Sequence, residues 1–530
     1  MTEALSPAQS IAAGYAFTST SLELGSVSVD GQVDPAAAVR IPLAMMNRHG
    51  LVAGATGTGK TKTLQLLAEQ LSANGVPVVM ADIKGDLSGL SRPGSSNDKI
   101  VERSQQTGDD WQPTSYPVEF VSLGSTGIGV PIRATITSFG PILLSKVLGL
   151  NATQESTLGL IFHWADKKGL PLLDLKDLRS VIAFLTSDEG KEELKNIGGV
   201  SRQTAGVILR ALTNLEADGG DTFFGEPEIE PADLIRLAPD GRGIVTLFEL
   251  GAQSARPVLF STFLMWILAD LFQYLPEVGD LDKPKLVFIF DESHVLFDDA
   301  SKAFVDQVEQ TVKLIRSKGV GVFFCSQLPT DIPNEVLSQL GARIQHALRA
   351  FTPDDQKALK KTVKTYPVSE VYKLEQALTS LGTGEAVVTV LSEKGAPTPV
   401  AWTVVRAPRS SMEAIGDEAI TAAAKASPLY AKYGQTIDRE SAYEKLAANT
   451  LSPGEAADAP APAPIPVPAP APVPAPAPAP RAPKPAPEEP GILTEVLTSK
   501  PMQSFLRSAA SAAGREFSRA IFGTGRRRKR

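Results

Sequence analysis

The chain has 530 residues, 43% hydrophobic and 21% charged, a balance that excludes a wholly disordered or collagen-like protein and supports a large core. At roughly 150 residues per domain it has room for about three domains. The formal net charge is −7, but residues 455–530 hold 11 Lys/Arg against 6 Asp/Glu while the rest holds 41 against 53, so an acidic body carries a basic tail.

The chain opens Met1-Thr2-Glu3-Ala4, with an acid where a signal peptide places bases. Together with a single cysteine, Cys325, this predicts a reducing, cytoplasmic setting with no disulfides and no zinc. Residues 1–47 read as an N-terminal extension with short strands, including a hairpin over Ser21–Val33. Leu51-Val52-Ala53 is a short buried strand. A glycine-rich turn follows, then a helix with Leu64, Leu67 and Leu71 on one face, stopped by Gly75. Val76–Ala81 is the next strand. This β-loop-α-β unit predicts an α/β domain with a parallel sheet. Residues 93–118 read as a polar loop, and Val118–Leu123 as a strand.

Residues 140–235 are mostly helical in pattern and read as an insertion that divides one core into 48–139 and 236–410. Val258–Leu271 is apolar but short and contains Asp270, so it predicts a buried helix rather than a membrane span. Strands are expected at Gly243–Leu250, Lys285–Phe290, Gly321–Ser326, Ala342–Leu348 and Ala386–Leu391, with a helix at Phe304–Ser317. Residues 411–454 form a helical extension. Within 455–490, Ala459–Pro490 carries 15 of the 41 prolines. Its 32 residues of polyproline II could reach on the order of 100 Å. Residues 491–530 combine an amphipathic helix, Ile492–Phe522, with the basic end Arg526-Arg527-Arg528-Lys529-Arg530.

Gly54-Ala55-Thr56-Gly57-Thr58-Gly59-Lys60-Thr61 matches G-x-x-x-x-G-K-[ST] at every fixed position. Glycines let such a loop wrap its amides around a β-phosphate, and the helix beginning at Lys60-Thr61-Lys62 adds its positive end. Lys60 is expected on the β- and γ-phosphates of ATP, and the Thr61 hydroxyl on Mg²⁺. Leu286–Phe290 is an apolar strand ending in Asp291-Glu292. There Asp291 would hold Mg²⁺ and Glu292 would act as general base; the alternative is that both acids cap a helix starting near Ser293. Gln327, after the next strand, is a candidate γ-phosphate sensor, or a turn residue. Asp82 and Asp86 could orient water or metal, or cap their loop. Arg316 and Arg343 are candidate charge stabilisers, which as trans-acting fingers would require an oligomer, or surface ion-pair partners. His163, His294 and His346 have no metal-ligand spacing and read as structural. Cys325 reads as a small buried hydrophobe.

In this order the motifs resemble the HerA/FtsK division of P-loop ATPases, and most of all its bacterial HerA-like proteins. The resemblance spans roughly residues 40–410. It rests on the P-loop GATGTGKT, Asp82-Ile83-Lys84-Gly85-Asp86, Asp291-Glu292-Ser293-His294, Ser326-Gln327, Gly341-Ala342-Arg343-Ile344 and Leu381-Gly382-Thr383-Gly384-Glu385-Ala386. It implies a RecA-like core with a mainly parallel sheet, a hexameric homo-oligomeric ring, and ATP-driven movement of DNA. It also implies Glu292 as the water-activating base, Gln327 as the sensor, and Arg343, less so Arg316, acting on the neighbouring subunit. Two departures are visible: Leu328 follows Gln327 where many relatives carry Arg, and the central insertion is helical. The tail supports a rival expectation, a motor or switch working on a protein partner or an anionic membrane surface.

Overall fold

The computed structural model describes residues 5–193, 198–251 and 257–450. The Ala/Pro-rich tract, the amphipathic Ile492–Phe522 stretch and the basic end lie outside these residues. Twelve strands form one sheet: β1 (Ser21–Val29), β2 (Gln32–Pro42), β3 (Gly50–Ala53), β4 (Val78–Asp82), β5 (Val118–Leu123), β6 (Val130–Ile132), β7 (Val245–Glu249), β8 (Leu286–Phe290), β9 (Val320–Ser326), β10 (Ala342–Gln345), β11 (Glu385–Thr389) and β12 (Ala401–Val405). Their spatial order is β2-β1-β12-β11-β10-β3-β9-β8-β4-β7-β5-β6.

From β10 to β6 every pairing is parallel. The flank from β10 through β11, β12 and β1 to β2 is antiparallel. The parallel strands are covered on both faces, which explains their uninterrupted apolar runs. In β8, Leu286, Phe288 and Phe290 face one core together with the apolar helix Pro257–Tyr274 and the helices between residues 136 and 217. Val287 and Ile289 face the other, with Leu64, Leu67 and Leu71 of the helix Lys60–Ala73 and the β1–β2 hairpin. Phe290 stacks on Phe324 of β9 at a centroid distance of 5.3 Å. Among the described residues no helix is long and apolar enough to cross a membrane.

Three expectations need correction. The stretch 93–118 is not all loop: Asp98–Thr107 is helical, with the Asn97 side chain accepting from the Ile100 amide and Gly108 closing the end in the left-handed region. Only Ile100 and Thr107 are buried on it, so it has little apolar periodicity to read. The N-terminal hairpin runs on to Pro42 and extends the main sheet through β12. The strand expected over Ala342–Leu348 ends at Gln345, because Ala347 turns away to accept from the Ala55 amide.

Candidate functional site

β3 lies between β9 and β10 with all four residues buried, so its carboxyl end is held from both sides. Gly50 is required there, since a Cβ would stand 2.2 Å from the Phe323 ring. The loop that follows is docked by two backbone bonds, Gly54 N–H to the Ser326 carbonyl (3.2 Å) and Ala55 N–H to the Ala347 carbonyl (2.8 Å). Gly59 caps the next helix at φ +114°, a conformation that excludes a β-carbon at low cost. The Thr58 hydroxyl donates to the Ala55 carbonyl (2.7 Å). The Lys60 ammonium donates to the carbonyls of Gly54 (2.7 Å) and Ala55 (3.3 Å), curling over the loop it closes.

A cavity of about 250 Å³ opens at this edge of the sheet, bordered by Thr56, Gly57, Gly59, Lys60, Thr61 and Lys62 of the loop and helix start. Its other wall is Lys84 and Asp86 after β4, Asp291 and Glu292 after β8, and Thr383 before β11. The parallel register brings these strand ends together, as ligand sites at the carboxyl edge of α/β sheets require. Burial, then the neighbouring Glu292 charge, pushes the Asp291 carboxyl above its ordinary range. A cation at that carboxylate would offset both effects. The hydroxyl of Thr61 and the carboxylate of Asp291 are hard oxygen donors on one cavity, a set that suits Mg²⁺. Asp291 accepts from the Glu292 amide (2.9 Å), and no amide of the short helix His294–Phe297 donates to it. Glu292 has φ +46°, with its carboxylate 3.9 Å from Lys84 Nζ and 3.5 Å from His294 Nδ1.

The remaining expected residues distribute as follows. The Lys62 ammonium is bonded to the carbonyls of Met412 (2.9 Å) and Asp86 (3.3 Å) and to Gln65, and burial lowers its pKa. Asp82 caps its loop: Oδ1 accepts from the Lys84, Gly85 and Asp86 amides and Oδ2 from Leu87. Gln327 is exposed just past β9 and does not border the cavity. Arg316 and Arg343 are on the opposite edge of the sheet, where strands β9 and β10 begin. They line a separate cavity of about 800 Å³ together with Arg48, His49, Lys313 and Lys364. Arg343 donates to the Thr365 carbonyl (3.2 Å), and neither arginine has a carboxylate partner among the described residues. Cys325 is buried, and burial raises its thiol pKa.

Three supporting residues, Arg103, Asp331 and Lys84, escaped the sequence reading, and His346, read there as structural, has a defined supporting place. His346 bridges Thr63 and the Glu385 carbonyl directly behind the loop. Its Cβ leaves no room for a side chain at Gly54, where an added Cβ would stand 2.6 Å away. Arg103 donates to the carbonyls of Thr383 and Gly384, fixing the turn whose Gly384 amide bonds Thr58. Asp331 accepts from the Ser326 hydroxyl (2.5 Å) and the Leu328 amide (2.9 Å), shaping the turn that carries Gln327. Lys84, quoted only as part of a motif, is a wall of the cavity. The glycines around Thr383 offered a signal; the partners of His346 and Arg103 are far apart in sequence, and Asp331 lies in a turn with no distinctive spacing.

The strand order β10-β3-β9-β8-β4 inserts β9 between the P-loop strand and the acidic strand. With the P-loop geometry, this defines a RecA-like P-loop NTPase core of the additional-strand kind. The chain belongs to the Helicase HerA-like C-terminal family, which matches residues 28–530. It is 23% identical over 372 residues to the DNA double-strand break repair helicase HerA of Sulfolobus acidocaldarius, covering 70% of this chain and 68% of that one. A probable helicase of Methanocaldococcus jannaschii is 36% identical over 116 residues, 21% of this chain and 20% of that one. Among solved structures, the bacterial conjugative coupling protein TrwBdeltaN70 aligns with a TM-score of 0.49 at 15% identity, covering 76% of this chain and 93% of that chain. VirB4 of Thermoanaerobacter pseudethanolicus aligns with a TM-score of 0.46, also at 15% identity, covering 72% and 96%.

Proposed function

We propose that this protein is a ring-forming, Mg²⁺-dependent ATPase that moves along DNA. The observation that carries the chemistry is the single cavity bordered by Lys60, Thr61, Asp291 and Glu292. In this reading the loop amides from Thr56 to Lys62 take the phosphates and Lys60 leaves its carbonyl partners for the β- and γ-oxygens. Mg²⁺, held by Thr61 and Asp291, neutralises phosphate charge when bound. Glu292 accepts the proton of a water attacking the γ-phosphorus in line. Gln327 would approach the γ-phosphate only by a movement of the turn that Asp331 holds.

The ring rests on the second cavity. Arg48, Lys313, Arg316, Arg343 and Lys364 surround it, and the carboxylate paired there is Asp280, 3.4 Å from Arg48. Such a group of cations at the strand-start edge cannot serve the chain's own nucleotide at the other edge. It suits the phosphates of a nucleotide on a neighbouring copy, with Arg343 as the charge stabiliser and Arg316 beside it. DNA as the track is supported by the relative named above as a DNA double-strand break repair helicase.

The test is steady-state ATP hydrolysis with no nucleic acid, with single-stranded DNA and with double-stranded DNA, at low and moderate salt. Several-fold stimulation that weakens with salt and is absent in Lys60→Ala supports the DNA motor. Robust hydrolysis indifferent to DNA transfers the reading to a protein or membrane-surface partner, with the basic tail as the next target.

A further inference from the structure

Three cations border the cavity from this chain: Lys60, Lys62 and Lys84. The first two spend their ammonium protons on backbone carbonyls. Lys84 makes no side-chain hydrogen bond among the described residues. Its ionic partner is Glu292 Oε1, at 3.9 Å, beyond hydrogen-bond reach. Its side chain is 54% exposed, so this attraction is screened and readily given up. The backbone beneath it is the opposite case. Asp82 accepts from four consecutive amides of the turn, which pins the Lys84 Cα while its four-carbon stem stays free to swing.

Glu292 is placed to feel the loss. Its left-handed backbone, at φ +46°, sets the carboxylate between Lys84 and His294, and its Oε2 is buried without a hydrogen-bond partner. A γ-phosphate offers three acceptor oxygens and more negative charge than one carboxylate. It therefore outcompetes Glu292 for an uncommitted ammonium. A diphosphate ends at the oxygens already served by the loop and Lys60, and has no group to draw Lys84 across.

We propose that Lys84 reads the γ-phosphate: it rests against Glu292 in the free chain, transfers to a bound nucleoside triphosphate, and so both selects triphosphate over diphosphate and releases Glu292 only when there is a bond to hydrolyse. This rests on the reading of the cavity as the nucleotide site.

The experiment is calorimetric titration of the full-length protein, in Mg²⁺, with ADP and with a non-hydrolysable ATP analogue. The expected result is that Lys84→Met weakens the analogue by about tenfold or more, the loss of a charge-assisted contact, and leaves ADP within about twofold. Lys84→Arg restores most of the difference. Glu292→Gln tightens the analogue in the native background by removing the competing carboxylate, and has no such effect in Lys84→Met. Parallel weakening of both nucleotides, or no change in either, overturns the proposal, as does a Glu292→Gln effect that survives in Lys84→Met. Superimposable thermal melts of the variants without nucleotide exclude misfolding as the cause. If the native protein binds neither nucleotide, the nucleotide reading of the cavity fails and takes this proposal with it. Selective failure in Lys84→Met leaves that reading standing.

Discussion

The Nε2 atom of His346 lies 2.9 Å from the Thr63 hydroxyl, one turn into the P-loop helix. The other ring nitrogen, Nδ1, is 2.8 Å from the Glu385 carbonyl, which can only accept. Nδ1 therefore carries the proton and Nε2 accepts from Thr63. Burial holds the imidazole neutral, with its pKa lowered to about 4. One side chain thus ties the loop, the helix behind it and the start of β11. His346→Ala leaves the buried Thr63 hydroxyl unpaired and opens a void, for an expected loss of about 3 kcal/mol in chemical denaturation. The folded pKa is below the unfolded value of 6.5, so this group's contribution is complete above pH 6.5 and is lost as pH falls toward 4. His346→Gln should flatten that acid limb; an unchanged slope would show that His346 is not the group titrating.

Glu249 tests the opposite sign. It ends β7 directly opposite Asp82 on β4, and its Oε1 is buried without a hydrogen-bond partner. Burial, then the charges of Asp82 and Asp417, raises its pKa to about 8. The folded state therefore holds a proton the unfolded state releases. The stability from this group is complete below about pH 4.5 and disappears as pH rises through 8. Glu249→Gln should be more stable than the native chain at pH 9, by about 2 kcal/mol, and no more stable at pH 4.5. Thermal melts at the two pH values decide it, and equal differences at both would contradict the assignment.

Removing the proposed base should separate binding from chemistry. Glu292→Gln keeps the cavity's shape but cannot accept a proton, so ATP turnover should fall about a hundredfold or more with ATP still bound. Lys60→Ala should lose both. Turnover in Glu292→Gln within a few-fold of native would remove Glu292 from the role of base.

A trans arginine makes a prediction that a structural arginine does not. Arg343→Ala and Lys60→Ala should each lack hydrolysis, about a hundredfold or more below native. Mixed and allowed to exchange subunits, they should regain part of it, because some interfaces then pair an intact P-loop with an intact Arg343. A mixture as inactive as its parts would mean Arg343 works within its own chain or on the fold alone.

Much of this was legible from local pattern. The P-loop spacing, the apolar strand ending in Asp291-Glu292 and the helix that begins at Lys60 are contiguous signals, each imposed by the backbone needs of a few adjacent residues. The antiparallel flank was harder to see. β12 (Ala401–Val405) pairs with β1 across more than 370 residues, the extension of β2 to Pro42 covers the other side of β1, and neither has a clear signal alone. The helix Asp98–Thr107 was hidden by its polarity. Asp82 was ambiguous because a carboxylate at a strand end caps amides and orients water equally well until its four amide donors are placed.

The amino-acid order by itself determined the chemistry available: which residue can bind phosphate, which can hold a hard cation and which can take a proton. Only the tertiary structure decided which of them meet. Parallel register carried Lys60, Lys84, Asp291 and Glu292 to one edge of the sheet and left Arg316 and Arg343 at the other. It also tied the Lys62 ammonium to the Asp86 and Met412 carbonyls and set His346 behind the loop. The physical reason is that strand order and register are settled by burial over the whole sheet, summed across contacts hundreds of residues apart, and no short stretch of sequence contains that sum.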